Sequence, residues 1–243
     1  MIQIKHLLTE FERFAYGQSL HAAYTQLLDW TLLPFKKHDS AEEQQIALET
    51  YRTHPKVSQL ITLVTIIGDL SENFSDPLGE LFMQAISNGH NGQYFTPEPI
   101  CDMMATMSIG ENSEPNQTVC DCACGSGRML LRAAKINRHL LLYGADLDIT
   151  CCKMALVNML LNSLKGEITH MNSLSNNFYT GYKVSTVLVG THYLPFYTEF
   201  TNPEESRIWL RSLKGNDTKP KFDKPFEPIR ASWPIDGVQG SLF

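Results

Sequence analysis

Apolar residues recur at helical spacing through the first ninety positions. Leu7, Phe11 and Phe14 form one stripe, and Leu20, Tyr24, Leu27 and Leu28 a second. Residues 56–70 set Val57, Leu60, Ile61, Val64 and Ile67 on one helical face, although their β-branched content leaves a strand reading open. A further helix through Leu81, Phe82, Ala85 and Ile86 is expected to end near Asn88-Gly89, a natural C-cap pair. These stripes predict the core of a helix bundle rather than a ligand site, and 1–90 is expected to be an N-terminal helical region.

From about residue 91 the period changes. Thr118–Asp121 is a short strand-like run ending in a Gly-rich turn, followed by a helical stretch, Arg128–Asn137. Leu140–Tyr143 leads to Gly144, Ala145 and Asp146. Thr150 is placed to cap the next helix, whose stripe holds Met154, Val157, Leu160 and Leu161. Ile168–Met171 and Thr186–Val189 are two more strand candidates. Strands alternating with helices predict an α/β fold with a parallel sheet and right-handed crossovers. The core is expected to span 91–200. Residues 201–243, rich in Pro, Lys and Gly, carry no periodicity and are expected to form an irregular tail.

Charge changes this picture little. The net formal charge is −6, which argues against a uniformly basic nucleic-acid binder. Residues 207–243 nevertheless hold 7 Lys/Arg against 4 Asp/Glu, a balance that suits either phosphate contact or a solvated extension. No run of about 18 uninterrupted apolar residues is present, so no transmembrane helix is expected. The N-terminal segment carries acids and no small-residue cleavage site, so a cytoplasmic location is expected. None of the six cysteines forms a C-x-x-C pair; they read as reduced thiols near a core strand, with a metal role the lesser alternative.

The segment richest in chemistry runs Asp121-Cys-Ala-Cys-Gly-Ser-Gly127, between a strand and a helix. Gly125 and Gly127 permit dihedrals closed to other residues and let a ligand approach the backbone. The following helix N-terminus offers free amides to an anionic group. Some twenty residues on, Asp146 stands at a strand end, where an acid can accept hydrogen bonds from both ribose hydroxyls of a nucleoside cofactor. Leu130 takes the position of the last glycine of the dinucleotide fingerprint, which disfavours a pyrophosphate-bound cofactor. A plain turn with a surface acid is the alternative.

Four elements occur in order: Gly92-Gln-Tyr-Phe-Thr-Pro97, the 121–127 turn, Tyr143-Gly-Ala-Asp146, and Ala155-Leu-Val-Asn158-Met. Over about residues 70–196 this resembles the modification subunits of type I restriction–modification enzymes, which are adenine-N6 DNA methyltransferases. The resemblance implies a Rossmann-like methyltransferase fold using S-adenosylmethionine. It implies that Tyr94, Phe95, Thr96 and Pro97 line the methionine end, with Thr96 at its carboxylate. Asp121, Ala123, Gly125 and Gly127 would shape the loop beneath it, and Asp146 would take the ribose. Asn172, in Met171-Asn-Ser-Leu174, stands where the family has an acid facing the adenine amine.

The family's catalytic [DN]-P-P-[FYW] element aligns with Tyr193-Leu194-Pro195-Phe196, which keeps one proline and the aromatic but lacks the leading Asn or Asp. Tyr193, Pro195 and Phe196 are thus the catalytic candidates, with Phe196 stacking on a flipped base. The resemblance also implies DNA as partner, reached through a separate specificity subunit, and leaves a hetero- or homo-oligomer open. Since the tetrapeptide departs from the pattern, two alternatives stand beside adenine methylation. One is a catalytically inactive interaction module that still binds the cofactor; the other is methylation of RNA, protein or a small molecule.

Overall fold

The computed structural model describes residues 2–87, 95–110 and 113–211. Five helices come first: α1 (Ile2–Phe14), α2 (Leu20–Leu32), α3 (Ala41–Arg52), α4 (Val57–Leu70) and α5 (Pro77–Phe82), the last running into a single π turn over Met83–Ser87. Three of these helices, α2, α3 and α5, start at capping residues. Ser19 and Ser40 accept from the amides of Ala22 and Glu43, and Asp76 accepts from Gly79 N ahead of Pro77. The β-branched run at 57–70 is helical. Leu60, Leu63 and Ile67 are its buried face, and Ile61 points to solvent. α3 carries no apolar stripe that the sequence could betray: it is rich in Glu and Gln, and Ala47 is its buried residue. Asn88-Gly89 lies outside the described residues.

α6 (Glu98–Ile109) leads to β1 (Thr118–Asp121), α7 (Arg128–Ile136), β2 (Leu141–Asp146), α8 (Ile149–Leu161) and β3 (Lys165–Asn172). Asp148, not Thr150, caps α8: its carboxylate accepts from Thr150 N at 2.7 Å. β1, β2 and β3 are parallel neighbours, so Asp121, Asp146 and Asn172 end at one edge of the sheet. The expectation of a parallel sheet throughout is then corrected. β4 (Asn177–Val189) turns back along β3, and β5 (His192–Phe200) pairs with it through a tight hairpin at Gly190-Thr191, where Gly190 has φ +60°. Only four residues separate β3 from β4, too few for a helical crossover, so antiparallel return is the geometry available. Among the described residues the sheet is mixed, in the order β1-β2-β3-β4-β5.

One hydrophobic core runs through helices and sheet alike, joining Leu7, Phe11, Tyr24 and Leu63 to Leu142, Leu156 and Val184. α8 packs on β2 to β5, α7 on β1 and β2, and α6 along α7. Residues 201–211, expected to be irregular, fold back on the sheet. The buried carboxylate of Glu167 accepts from Thr169 Oγ1 (2.9 Å), Ser206 Oγ (2.6 Å) and Arg207 N. Trp209 Nε1 donates to Asn176 O at 3.1 Å. Among the described residues no helix is long and apolar enough to cross a membrane.

At Gly166 the chain passes β2 so closely that an added Cβ would lie 1.7 Å from Leu142 O, at φ +149°. Gly166→Ala is therefore expected to destabilise the fold by about 3 kcal/mol or more, read as a lower urea midpoint with an unchanged slope.

Candidate cofactor site

The carboxyl edge of β1–β3 gathers most of the residues singled out from the sequence. Asp121 closes β1 and accepts from Ala123 N at 3.1 Å, starting the turn. Gly125 (φ +54°) and Gly127 (φ +82°) both take left-handed backbone. A Cβ on Gly125 would meet the Phe95 ring at 2.9 Å, and one on Gly127 would meet Ala155 Cβ at 3.0 Å. Phe95 thus lies directly on the loop, stacked in turn on Phe82 with ring centroids 5.7 Å apart. Gly127 is the N-cap of α7 and no side chain caps that end, so its first amides remain available to an anion.

Asp146 ties the loop to β2. One carboxylate oxygen accepts from Gly125 N at 2.8 Å and the other from Asp148 N at 2.9 Å. Each oxygen retains a further lone pair, so the group can still accept from two adjacent hydroxyls. Thr96 is exposed, and its carbonyl accepts from the Arg128 guanidinium at 3.1 Å. Pro97 is the N-cap of α6. Tyr94 lies outside the described residues. Asn172 sits at the same edge on β3, but its Oδ1 is turned inward to the amides of Leu174 and Ser175, both at 3.1 Å.

Tyr193, Pro195 and Phe196 are not brought to this edge. Register places His170, the partner of Asp146, opposite Thr180, whereas Tyr193 lies opposite Leu188 on the same strand. The eight positions from Thr180 to Leu188, at about 3.3 Å each, put Tyr193 roughly 25 Å from the Asp146 level along the strands alone. The reversal of β4 carries the tetrapeptide to the opposite end of the sheet. Tyr193 is exposed there, while Phe196 is buried in β5 opposite Ser185.

Sequence reasoning also misses the anchoring of this edge by Asp76, Ser126 and Arg128. Asp76 is 1% exposed and accepts from Gly79 N, Asn158 Nδ2 (both 2.8 Å), Ser126 Oγ (2.5 Å) and Arg128 Nε (3.0 Å). The available signal is Asp-Pro at a helix start, a capping pattern. Burial works to lower the Arg128 pKa, but the adjacent Asp76 and Glu80 carboxylates outweigh it and raise it. The thiols of Cys124, Cys151 and Cys152 are buried and pushed up by desolvation, whereas Cys120 and Cys122 are exposed beside the loop.

A sequence model of the N-6 DNA methylase family matches residues 72–221, more than half of the chain. The chain belongs to that family. The chain is 25% identical over 201 residues to the type I restriction enzyme MpnII methylase subunit of Mycoplasma pneumoniae, covering 75% of this chain and 35% of that subunit. It spans, then, about a third of its relative's length. Among solved structures it overlays on a protein described as a class I S-adenosylmethionine-dependent methyltransferase from Listeria monocytogenes, with TM-score 0.44 and 17% identity over 68% of this chain and 52% of the other. A type I restriction–modification methyltransferase subunit from Streptococcus thermophilus overlays with TM-score 0.32 and 17% identity, over 63% and 39% of the two chains.

Burial raises the Asp121 pKa above its ordinary 3.8; the Ala123 amide opposes this and the Asp146 charge adds to it. An acid raised in the folded state contributes stability that is full below its unfolded pKa and lost as pH rises through the folded one. Asp121→Asn keeps the acceptor for Ala123 and has no charge to desolvate. We expect it to melt higher than wild type at pH 7, on the order of 1–3 °C, with the gain vanishing toward about pH 4, measured by differential scanning fluorimetry at both pH values.

Proposed function

We propose that this member of the N-6 DNA methylase family is an S-adenosylmethionine-dependent methyltransferase acting on adenine N6 in DNA, of the restriction–modification type. The observation that carries the reading is the Asp146–Gly125 hydrogen bond beneath the Phe95 ring. It builds a glycine turn, a free helix N-terminus and a diol acceptor into one edge of the sheet.

The donor set suits this cofactor. Asp146 takes the ribose hydroxyls through its remaining lone pairs. The α7 N-terminus and Thr96 would serve the amino-acid carboxylate, and Phe95 and Pro97 would wall the methionine end. Asp121 and Asp146 repel one another when both are ionised, so a cationic ligand between loop and wall relieves that repulsion. S-adenosylmethionine supplies a methyl group on a sulfonium. Transfer of that methyl group to the adenine amine would leave S-adenosylhomocysteine and release one amine proton to solvent. The protein's part is to orient the donor at the carboxyl edge and keep it from water.

The acceptor side depends on assembly. Tyr193, Pro195 and Phe196 belong to the far end of the sheet, so we place the target adenine at the β1 edge. There it would be presented by DNA bound together with a specificity subunit. The sequence of residues 207–243, with its basic excess, would suit phosphate contact.

Calorimetry should give micromolar binding of S-adenosylmethionine to the wild-type chain and at least about a hundredfold weaker binding to Asp146→Ala, the equivalent of a lost pair of hydrogen bonds to a charged group. Transfer of a tritiated methyl group to adenine-containing DNA, in the presence of a specificity subunit, completes the test. Wild-type protein that binds no cofactor would remove the reading; binding without any transfer to DNA would confine it to cofactor recognition.

A further inference from the structure

The buried carboxylate of Asp76 meets four donors from four places in the chain. Gly79 N belongs to α5, Ser126 Oγ to the glycine turn, Arg128 Nε to the first residue of α7, and Asn158 Nδ2 to α8. Asn158 Nδ2 donates also to Ser126 O at 2.9 Å, so the turn is gripped through both side chain and backbone. Gly79 is forced by this crowding, since a Cβ there would lie 2.1 Å from Asp76 Oδ2 and 2.7 Å from Ser126 Oγ.

Two further donors of the Arg128 guanidinium reach the Thr96 segment and α5 itself. Nη1 reaches Thr96 O at 3.1 Å, and Nη2 reaches Glu80 at 2.9 Å. A planar fork with fixed donor directions sets the angle among its three partners, which an ammonium group does not. Ser126 and Thr96 stand on the two walls proposed for the amino-acid end of the cofactor, and one charged pair fixes both. The adenosine end depends on Asp146, whose carboxylate is held by Gly125 N and Asp148 N rather than by the pair.

We infer that Asp76 and Arg128 are positioning residues that hold the turn and the Thr96 segment in register, so that they govern recognition of the amino-acid end of the cofactor and not of its adenosine. The inference rests on the proposed cofactor site. It makes recognition of that end depend on α5, an element outside the glycine turn and the sheet.

The experiment compares two probes that share adenosine. S-adenosylhomocysteine carries the amino-acid end; 5′-methylthioadenosine lacks it. Arg128→Lys keeps the charge beside Asp76 but cannot also span to Thr96 O. It should weaken S-adenosylhomocysteine roughly tenfold, the equivalent of a hydrogen bond to a charged group, and leave 5′-methylthioadenosine within about twofold by the same measure. Asp76→Asn should show the same asymmetry; should it fail to fold, Arg128→Lys decides alone. Equal weakening of both probes, as general loosening would produce, overturns the inference, and so does no change in either. Wild-type protein that binds neither probe removes the cofactor site beneath it, a different failure from a variant that does not discriminate.

Discussion

A carboxylate removed from water must be answered by donors, because an unpaired buried charge costs several kcal/mol. Asp76 is answered by two amide-type N–H groups, a hydroxyl and a guanidinium, drawn from three stretches of chain: α5, residues 126–128 and α8. None of these elements can move far without exposing that charge to a deficit. The helical layer is therefore bound to the glycine turn by an electrostatic requirement as well as by the shared apolar core. Tyr24 shows the same dependence at one remove. Its hydroxyl donates to Leu78 O inside α5, and burial, then the Asp76 charge, push its pKa well up.

The second constraint is directional. Three parallel strands place three polar termini, Asp121, Asp146 and Asn172, on one edge. The short link after β3 then reverses the chain, and everything attached to β4 and β5 is carried away from that edge. The glycine turn and the tetrapeptide follow one another in sequence and are separated in space. In doubly wound folds the strand bearing the glycine turn sits inside the sheet. Here β1 is an outer strand among the described residues, with Cys120 exposed on it.

The parts legible in the sequence are those with a local physical signature. Stripes such as Leu20, Tyr24, Leu27 and Leu28 mark α2 because burial of one face repeats every three to four residues. Gly125, Gly127 and Asp146 signal a turn and an acceptor because their roles depend on backbone freedom and on strand-end position. Two kinds of feature stay hidden. The direction of β4 follows from a link of four residues whose conformation no periodicity encodes, so Thr186–Val189 reads as one more parallel strand. Arg128 and Asn158 are polar residues separated by 52 and 82 positions from Asp76, and only the folded chain shows that each satisfies the others.

Glu167 has a bearing on where the folding unit stops. Among the described residues β5 is the last strand, ending at Phe200, and a boundary drawn there would look natural. Yet two of the groups that neutralise Glu167 by hydrogen bonding, Ser206 and the amide of Arg207, come later, and Ser206 Oγ in turn accepts from the amides of Ile208 and Trp209. Cutting the chain after its last strand would strand a carboxylate in the sheet's interior with Thr169 as its remaining partner among these. The smallest fragment able to close this sheet extends through Trp209, and the stretch past β5 acts as the keel of the domain.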